Sequence, residues 1–206
     1  MNANRRSSAS ERGFSLIELL MVCAIMVLVS AVVLVNQNKY GGTTLLQSFA
    51  YDAALTVRQA QVYGVSVKAS TCASATQFVS YGVHFDSTSG NNKQYILFAD
   101  CNGDGVYESG TDYLANTFTI TRNYSIKDLC VTNSGAEVCG QHVVDMMFQR
   151  PEPDAKISWT DSSGNQQACL NGGVCADAAR VIMRSPQGDT RSIIVENNGQ
   201  ISVSSS

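Results

Sequence analysis

Residues 14–35 read FSLIELLMVCAIMVLVSAVVLV, from Phe14 to Val35, and Glu18 is the one charge among these 22 residues. Coiled as a helix at about 1.5 Å per residue, the run reaches about 33 Å, enough to cross the hydrocarbon core of a bilayer. The residues before it are polar and carry Arg5, Arg6 and Arg12 against Glu11. A basic flank keeps the N-terminus in the cytoplasm, so the chain after Val35 is expected on the other side of the membrane. A carboxylate within such a helix costs about 2.5–3.5 kcal/mol on insertion scales, and its usual warrant is function.

Three ordinary readings of the segment fall short. A secretory signal peptide has a shorter apolar run followed by a small-residue cleavage site. Val29-Ser30-Ala31 is a passable site, yet the apolar run continues past it. A lipoprotein signal wants a small residue before its cysteine, and Val22 precedes Cys23. A plain anchor accounts for length and orientation but not for Glu18. The stretch Gly13-Phe14-Ser15-Leu16-Ile17-Glu18-Leu19-Leu20 resembles the processing motif of class III signal peptides in the type IV pilin superfamily.

That resemblance implies a set of roles. A prepilin peptidase would cut after Gly13 on the cytoplasmic side and methylate the new N-terminal Phe14. Glycine suits such a position because it lets backbone enter a protease site with no side chain in the way. Glu18 lies about one helical turn, some 6 Å, beyond Phe14. Its implied partner is the N-terminal amine of an adjacent subunit, a pairing that fixes register in a dry bundle. The expected partners are other pilin or pseudopilin subunits, the prepilin peptidase and an inner-membrane assembly platform. The expected location is a single-pass membrane protein that later enters a filament.

Beyond Val35 the polarity changes at Asn36-Gln37-Asn38-Lys39-Tyr40-Gly41-Gly42. The two glycines read as a joint or helix break, with Thr43 or Thr44 to cap a second helix. Leu45, Leu46, Phe49, Ala50, Ala53, Val57 and Ala60 then recur at three- and four-residue spacing, one face of an amphipathic helix ending near Gly64. From residue 65 the texture is β. The segments SVKAS, QFVSYGVHF, QYILFAD, TFTIT, YSIKDLCV, HVVDMMFQR, KISWTD, RVIMRS and RSIIVE alternate or carry β-branched and aromatic residues between turn signals. Asn198-Gly199 reads as a tight hairpin turn into QISVS.

The organisation is therefore a leader over 1–13, a membrane helix over 14–35, an amphipathic helical extension over 36–64 and an extracytoplasmic β-rich domain over 65–206. The fold class is α+β, pilin-like, with a long N-terminal helix packed on antiparallel sheet. AYDAALTVRQAQVYGVSV, followed by YILFADCNGDGVYESGTDYL, resembles the H-type minor pseudopilins of type II secretion and the FimT-type minor pilins. The function this implies is a minor pilin or pseudopilin, with a DNA-uptake or adhesive minor pilin as the alternative.

Asp100-x-Asn102-x-Asp104-Gly105 opens like a calcium loop, with oxygen ligands at alternate positions and a glycine for the sharp turn. Val106 offers a backbone carbonyl, and Glu108 or Asp112 could close the site. Residue 12 of the loop is Thr111 where a calcium loop has Glu, and the competing reading is a plain turn that needs no ion. Ca²⁺ is the one cofactor the sequence suggests.

Cys23 falls in the apolar helix, where a buried thiol is expected. The other six cysteines, Cys72, Cys101, Cys130, Cys139, Cys169 and Cys175, allow 15 connectivities. Proximity suggests Cys130 with Cys139 and Cys169 with Cys175, leaving Cys72 with Cys101. Paired C-x₂-C spacing for zinc is missing. Two histidines, His84 and His142, leave little for histidine catalysis, and no enzyme activity is expected. FimT-type pilins bind DNA through a basic C-terminal G-R-x-R motif; here the matching stretch is Gly199-Gln200-Ile201-Ser202. Arg180, Arg184 and Arg191 stand nearby, but past Val35 acidic residues outnumber Lys and Arg by 15 to 11, which disfavours a nucleic-acid partner.

Overall fold

In the computed structural model the described residues are 13–66, 72, 79–170 and 172–205. The leader arginines and the predicted strand SVKAS (66–70) beyond Ser66 lie outside them. One helix, α1 (Leu16–Val65), carries both the membrane run and the amphipathic extension. Helical structure passes through Gly41 and Gly42 without a break, so neither Thr43 nor Thr44 begins a second helix. The chain forms two compact units, 1–41 and 42–206, each described by itself.

In the second unit, eleven strands follow the helix among the described residues: β1 (Ser80–Asp86), β2 (Gln94–Asp100), β3 (Tyr113–Thr119), β4 (Ser125–Asn133), β5 (Ala136–Cys139), β6 (Val143–Gln149), β7 (Glu152–Thr160), β8 (Gln166–Gln167), β9 (Ala178–Arg184), β10 (Thr190–Glu196) and β11 (Ile201–Ser205). The sequence pattern leads to antiparallel structure on a helix, and the chain builds it as two sheets. One runs β3-β2-β1-β6-β7-β8, the other β11-β10-β9-β4-β5. All strand pairs are antiparallel.

The core fills the space between the inner faces of both sheets and the buried side of α1 from Gly42 onward. Leu46, Ala50, Ala53, Val57 and Ala60 of the helix share it with Val83, Phe85, Leu97, Met146, Ile157, Val181 and Ile193. The helix contributes mainly alanines to this face, so its backbone comes close to the sheet. At Gly64 a Cβ would lie 2.2 Å from the carbonyl oxygen of Phe148. At the other end Tyr124 Oη donates to the carbonyl of Gly42 at 2.8 Å, and its ring lies 5.2 Å from Phe49.

The turn at Asn198-Gly199 joins β10 to β11, with Gly199 at φ 82°. This glycine is required twice over. Its conformation is left-handed, and a Cβ there would lie 2.3 Å from the carbonyl oxygen of Pro153. Gln61 of α1 donates to the carbonyls of both Pro153 (2.8 Å) and Gly199 (3.1 Å), stitching helix, β7 and the β10–β11 turn together.

The six-stranded sheet also has a packed outer face. Ile96, Phe98 and Met147 form a second, smaller cluster with Tyr107 against it. Tyr107 comes from the loop between β2 and β3, which folds back over the sheet. Gly105 of this loop abuts the side chain of Leu170, where a Cβ would sit 2.9 Å from Leu170 Cγ. Three disulfides brace this unit: Cys72–Cys101, Cys130–Cys139 and Cys169–Cys175. Cys130 and Cys139 are direct partners across the β4–β5 ladder.

Candidate functional site

Gly13, Phe14 and Ser15 precede the first helical residue, and all three are exposed. Among the described residues nothing comes within 4 Å of a Cβ built on Gly13. The carbonyl of Ser15 accepts from the N–H groups of Glu18 (3.0 Å) and Leu19 (3.2 Å), which starts the helix. Ser15 and Glu18 have the S-x-x-E spacing of a helix start, and an acidic side chain in the first turn suits the positive end of the helix dipole.

Leu16–Leu34 is 19 residues long with mean hydropathy 2.8, and none of it is buried within the protein. Phe14, Leu16, Ile17, Met26, Val27 and Leu28 are each at least two-thirds exposed. Water would not tolerate so long an apolar cylinder, so this surface needs a lipid or protein environment. Cys23, expected as a buried thiol, is exposed on this helix. Its surroundings would come from that same environment.

The β2–β3 loop places the candidate ion ligands as follows. Asp100, at the end of β2 and 2% exposed, accepts from the N–H groups of Gly103 (2.7 Å) and Gly105 (3.0 Å). Asp104 accepts from Val106 N–H at 2.9 Å and from the Asn102 amide at 2.8 Å. Glu108 also receives the Asn102 amide, at 3.3 Å. Asp112 closes the loop by accepting from Cys101 N–H (2.9 Å) and Glu108 N–H (2.8 Å). The five residues are thus brought into one loop, but each carboxylate is engaged in holding it.

Among the described residues, no three acidic groups of this loop bring oxygens within 4.8 Å of one another. A Ca²⁺ shell would hold its oxygens at 2.3–2.6 Å from one centre, and here the carboxylates are turned to the loop's own N–H groups. Burial raises the pKa of Asp100 above the usual carboxylate value, against the pull of the Gly103 and Gly105 N–H groups. Burial raises Asp112 in the same way, with Asp104 and Glu108 adding repulsion. We expect millimolar Ca²⁺ to shift the melting temperature of the full chain in detergent micelles no more than matched ionic strength does. A rise abolished by Asp104→Ala would overturn that expectation.

One group of potential ligands does converge, Asp128 with Cys130 and Cys139. Both sulfurs are bound to each other in the disulfide, so neither can ligate a metal. Arg180 pairs with Glu137 at 3.1 Å, and the stretch 199–202 forms the β10–β11 turn and the start of β11.

Sequence reasoning passed over a further pair. His84 Nδ1 lies 2.7 Å from Asp145 Oδ1, with side-chain exposures of 15% and 1%. These residues face each other across β1 and β6 on the outer face of the six-stranded sheet. The signal available was an ionisable residue inside each of two strands, GVHF and VVDMM, where alternation puts polar side chains on the face expected to meet water.

Residues 8–34 match the family profile described as the prokaryotic N-terminal methylation motif. No curated protein and no solved structure matches the chain. The matched stretch contains Gly13, Phe14 and Glu18 and ends with the exposed apolar run. It supports a type IV pilin-like N-terminal segment of the kind processed by prepilin peptidase.

Proposed function

We propose that the protein is a minor pilin or pseudopilin subunit, anchored in the inner membrane by Leu16–Leu34 and assembled into a type II secretion pseudopilus or a type IV pilus. The observation that carries this reading is the conjunction of an exposed Gly13–Phe14 pair, Glu18 in the first helical turn and a fully exposed apolar helix behind them. An ordinary anchor needs the apolar helix alone. Assembly explains the rest. The helix gains a protein environment in the filament, and the carboxylate gains the amine that cleavage creates. Phe14 becomes that N-terminus, and Glu18 sets the stagger between neighbouring subunits.

The test is mass spectrometry of the envelope form from cells that hold an active prepilin peptidase. The expected mature N-terminus is methylated Phe14, and cells lacking the peptidase should retain the leader. A chain starting at Met1 in processed envelopes, or one cut after Ala31, would remove the basis of the assignment.

A further inference from the structure

A buried ion pair in a sheet is rarely the most stable choice. Well-packed apolar residues at the same positions often do as well or better. His84 and Asp145 therefore call for a reason, and the loop above them supplies one. The ring of Tyr107 packs on His84, with centroids 4.9 Å apart, and on Phe98 at 5.1 Å. The backbone N–H of Tyr107 also bears on the Asp145 carboxylate and favours its ionised form. Asp145 Oδ2 makes no hydrogen bond of normal geometry. The pair thus sits between the sheet and the segment of loop that covers it. Beside it is a cleft of about 360 Å³ lined by His84, Asp86, Asn91, Gln94, Tyr107 and Ser109.

The charges around the pair are unevenly distributed. Asp86 lies two residues along β1 from His84, and Asp104 acts on Asp145 from the loop as a like charge. On β2 the residue opposite His84 is Ile96, and on β7 the residue opposite Asp145 is Ser158. Lys156 stands two residues along β7, on the same side by strand alternation. The imidazolium of His84 is thus the cation in contact with Asp145, with Asp86 acting on it as well.

We propose that the His84–Asp145 pair is a proton-operated latch that holds the Val106–Tyr107 part of the β2–β3 loop against the outer face of the six-stranded sheet. With the imidazolium charged, Asp145 is neutralised and the loop's Asp104 is not repelled. When the proton leaves, a buried carboxylate confronts Asp104 without compensation, and the loop's hold loosens. Opening would uncover Ile96, Phe98 and Met147. The loop stays joined to β2 and β3 at its two ends, so the motion is local.

The direction of the pH dependence follows from the pair. Burial works against the imidazolium, but the Asp145 carboxylate outweighs it and holds the His84 pKa above its ordinary value of 6.5. Burial pushes Asp145 upward too, against the pull of His84. A group whose pKa is raised on folding stabilises the native state fully below its unfolded value. That stabilisation is lost as pH rises through the folded value. The latch is closed at mildly acidic pH and opens on the alkaline side.

The test is hydrogen exchange on the full chain in detergent micelles, read as protection factors so that the intrinsic pH dependence of exchange cancels. Between about pH 5.5 and about pH 8.5, protection of the Val106 and Tyr107 amides should fall about tenfold relative to Val181 and Ile193 in the other sheet. His84→Gln and Asp145→Asn should each flatten that dependence. In the wild-type chain, NMR should show His84 titrating above its ordinary value of 6.5 and in step with the loss of loop protection. Loop protection that is constant across this range, or that changes only together with the whole unit, would overturn the proposal, and the wild-type series decides this even if a variant does not fold.

Discussion

A Glu18→Ala chain is expected to enter the membrane and be cleaved normally, yet to drop at least about tenfold in its assembled fraction when co-expressed with wild-type subunits. Two terms act in opposite directions. Removing the carboxylate from an apolar helix spares about 2.5–3.5 kcal/mol of insertion cost, so the variant should be as abundant in the membrane as the wild type, or more so. Within a filament the same change leaves the neighbouring subunit's amine without its partner in a water-poor bundle. Leaving a buried charge unpaired costs about 3–5 kcal/mol, which exceeds the gain on insertion. The measurement is the ratio of sheared or pelleted filament to membrane-held subunit, with the N-terminus checked by mass spectrometry so that a cleavage defect is not mistaken for an assembly defect. Equal incorporation of variant and wild type would show that Glu18 is merely tolerated.

Gly64→Ala is expected to destabilise the β-rich unit by about 1–3 kcal/mol, opposite in sign to what the same change does in an exposed helix. An ordinary Gly to Ala replacement inside a helix gains about 1 kcal/mol. Here the new methyl group would lie 2.2 Å from the Phe148 carbonyl oxygen and 2.7 Å from its carbon. These are backbone atoms of a central strand, paired on both sides by β1 and β7, and they cannot step aside as a flexible side chain can. The helix end must lift instead, which loosens the contacts of Ala60 and Val57 and strains the Gln61 bridge to Pro153 and Gly199. Thermal melting of the full chain in detergent micelles should show a fall of several degrees. A melting temperature equal to or above that of the wild type would mean that the helix and β6 are less tightly apposed than the structure shows.

How much of this was legible in the sequence varied with the range of the interactions concerned. QYILFAD coincides with β2 because each residue type states a local preference for extended backbone, and the Asn198-Gly199 hairpin is read from two residues alone. Strands β5 and β8 escaped notice because their side chains are all exposed. A strand that buries nothing leaves no hydrophobic alternation in the sequence, and such strands exist only because a neighbour offers its free edge. The Asp100 loop showed its oxygen-rich spacing, but spacing does not say whether the oxygens point at a common centre or at the loop's own N–H groups. His84 and Asp145 are separated by 61 residues, and nothing near either one announces the other.

The sequence by itself determined the long apolar helix, the match to an N-terminal methylation motif around Gly13–Phe14, the buried side of the extension from Leu46 to Ala60 and the location of most strands. Each rests on residues within a few positions of one another, where helical and strand periodicity act directly on backbone and solvent. Only the tertiary structure decided that the strands divide into two sheets, that β1 lies between β2 and β6, and that β4 pairs with β9. It alone also put a second apolar cluster and a buried ion pair beneath the β2–β3 loop. Those outcomes depend on which distant surfaces exclude water from each other, and a single strand's pattern says which face seeks cover without saying what will cover it.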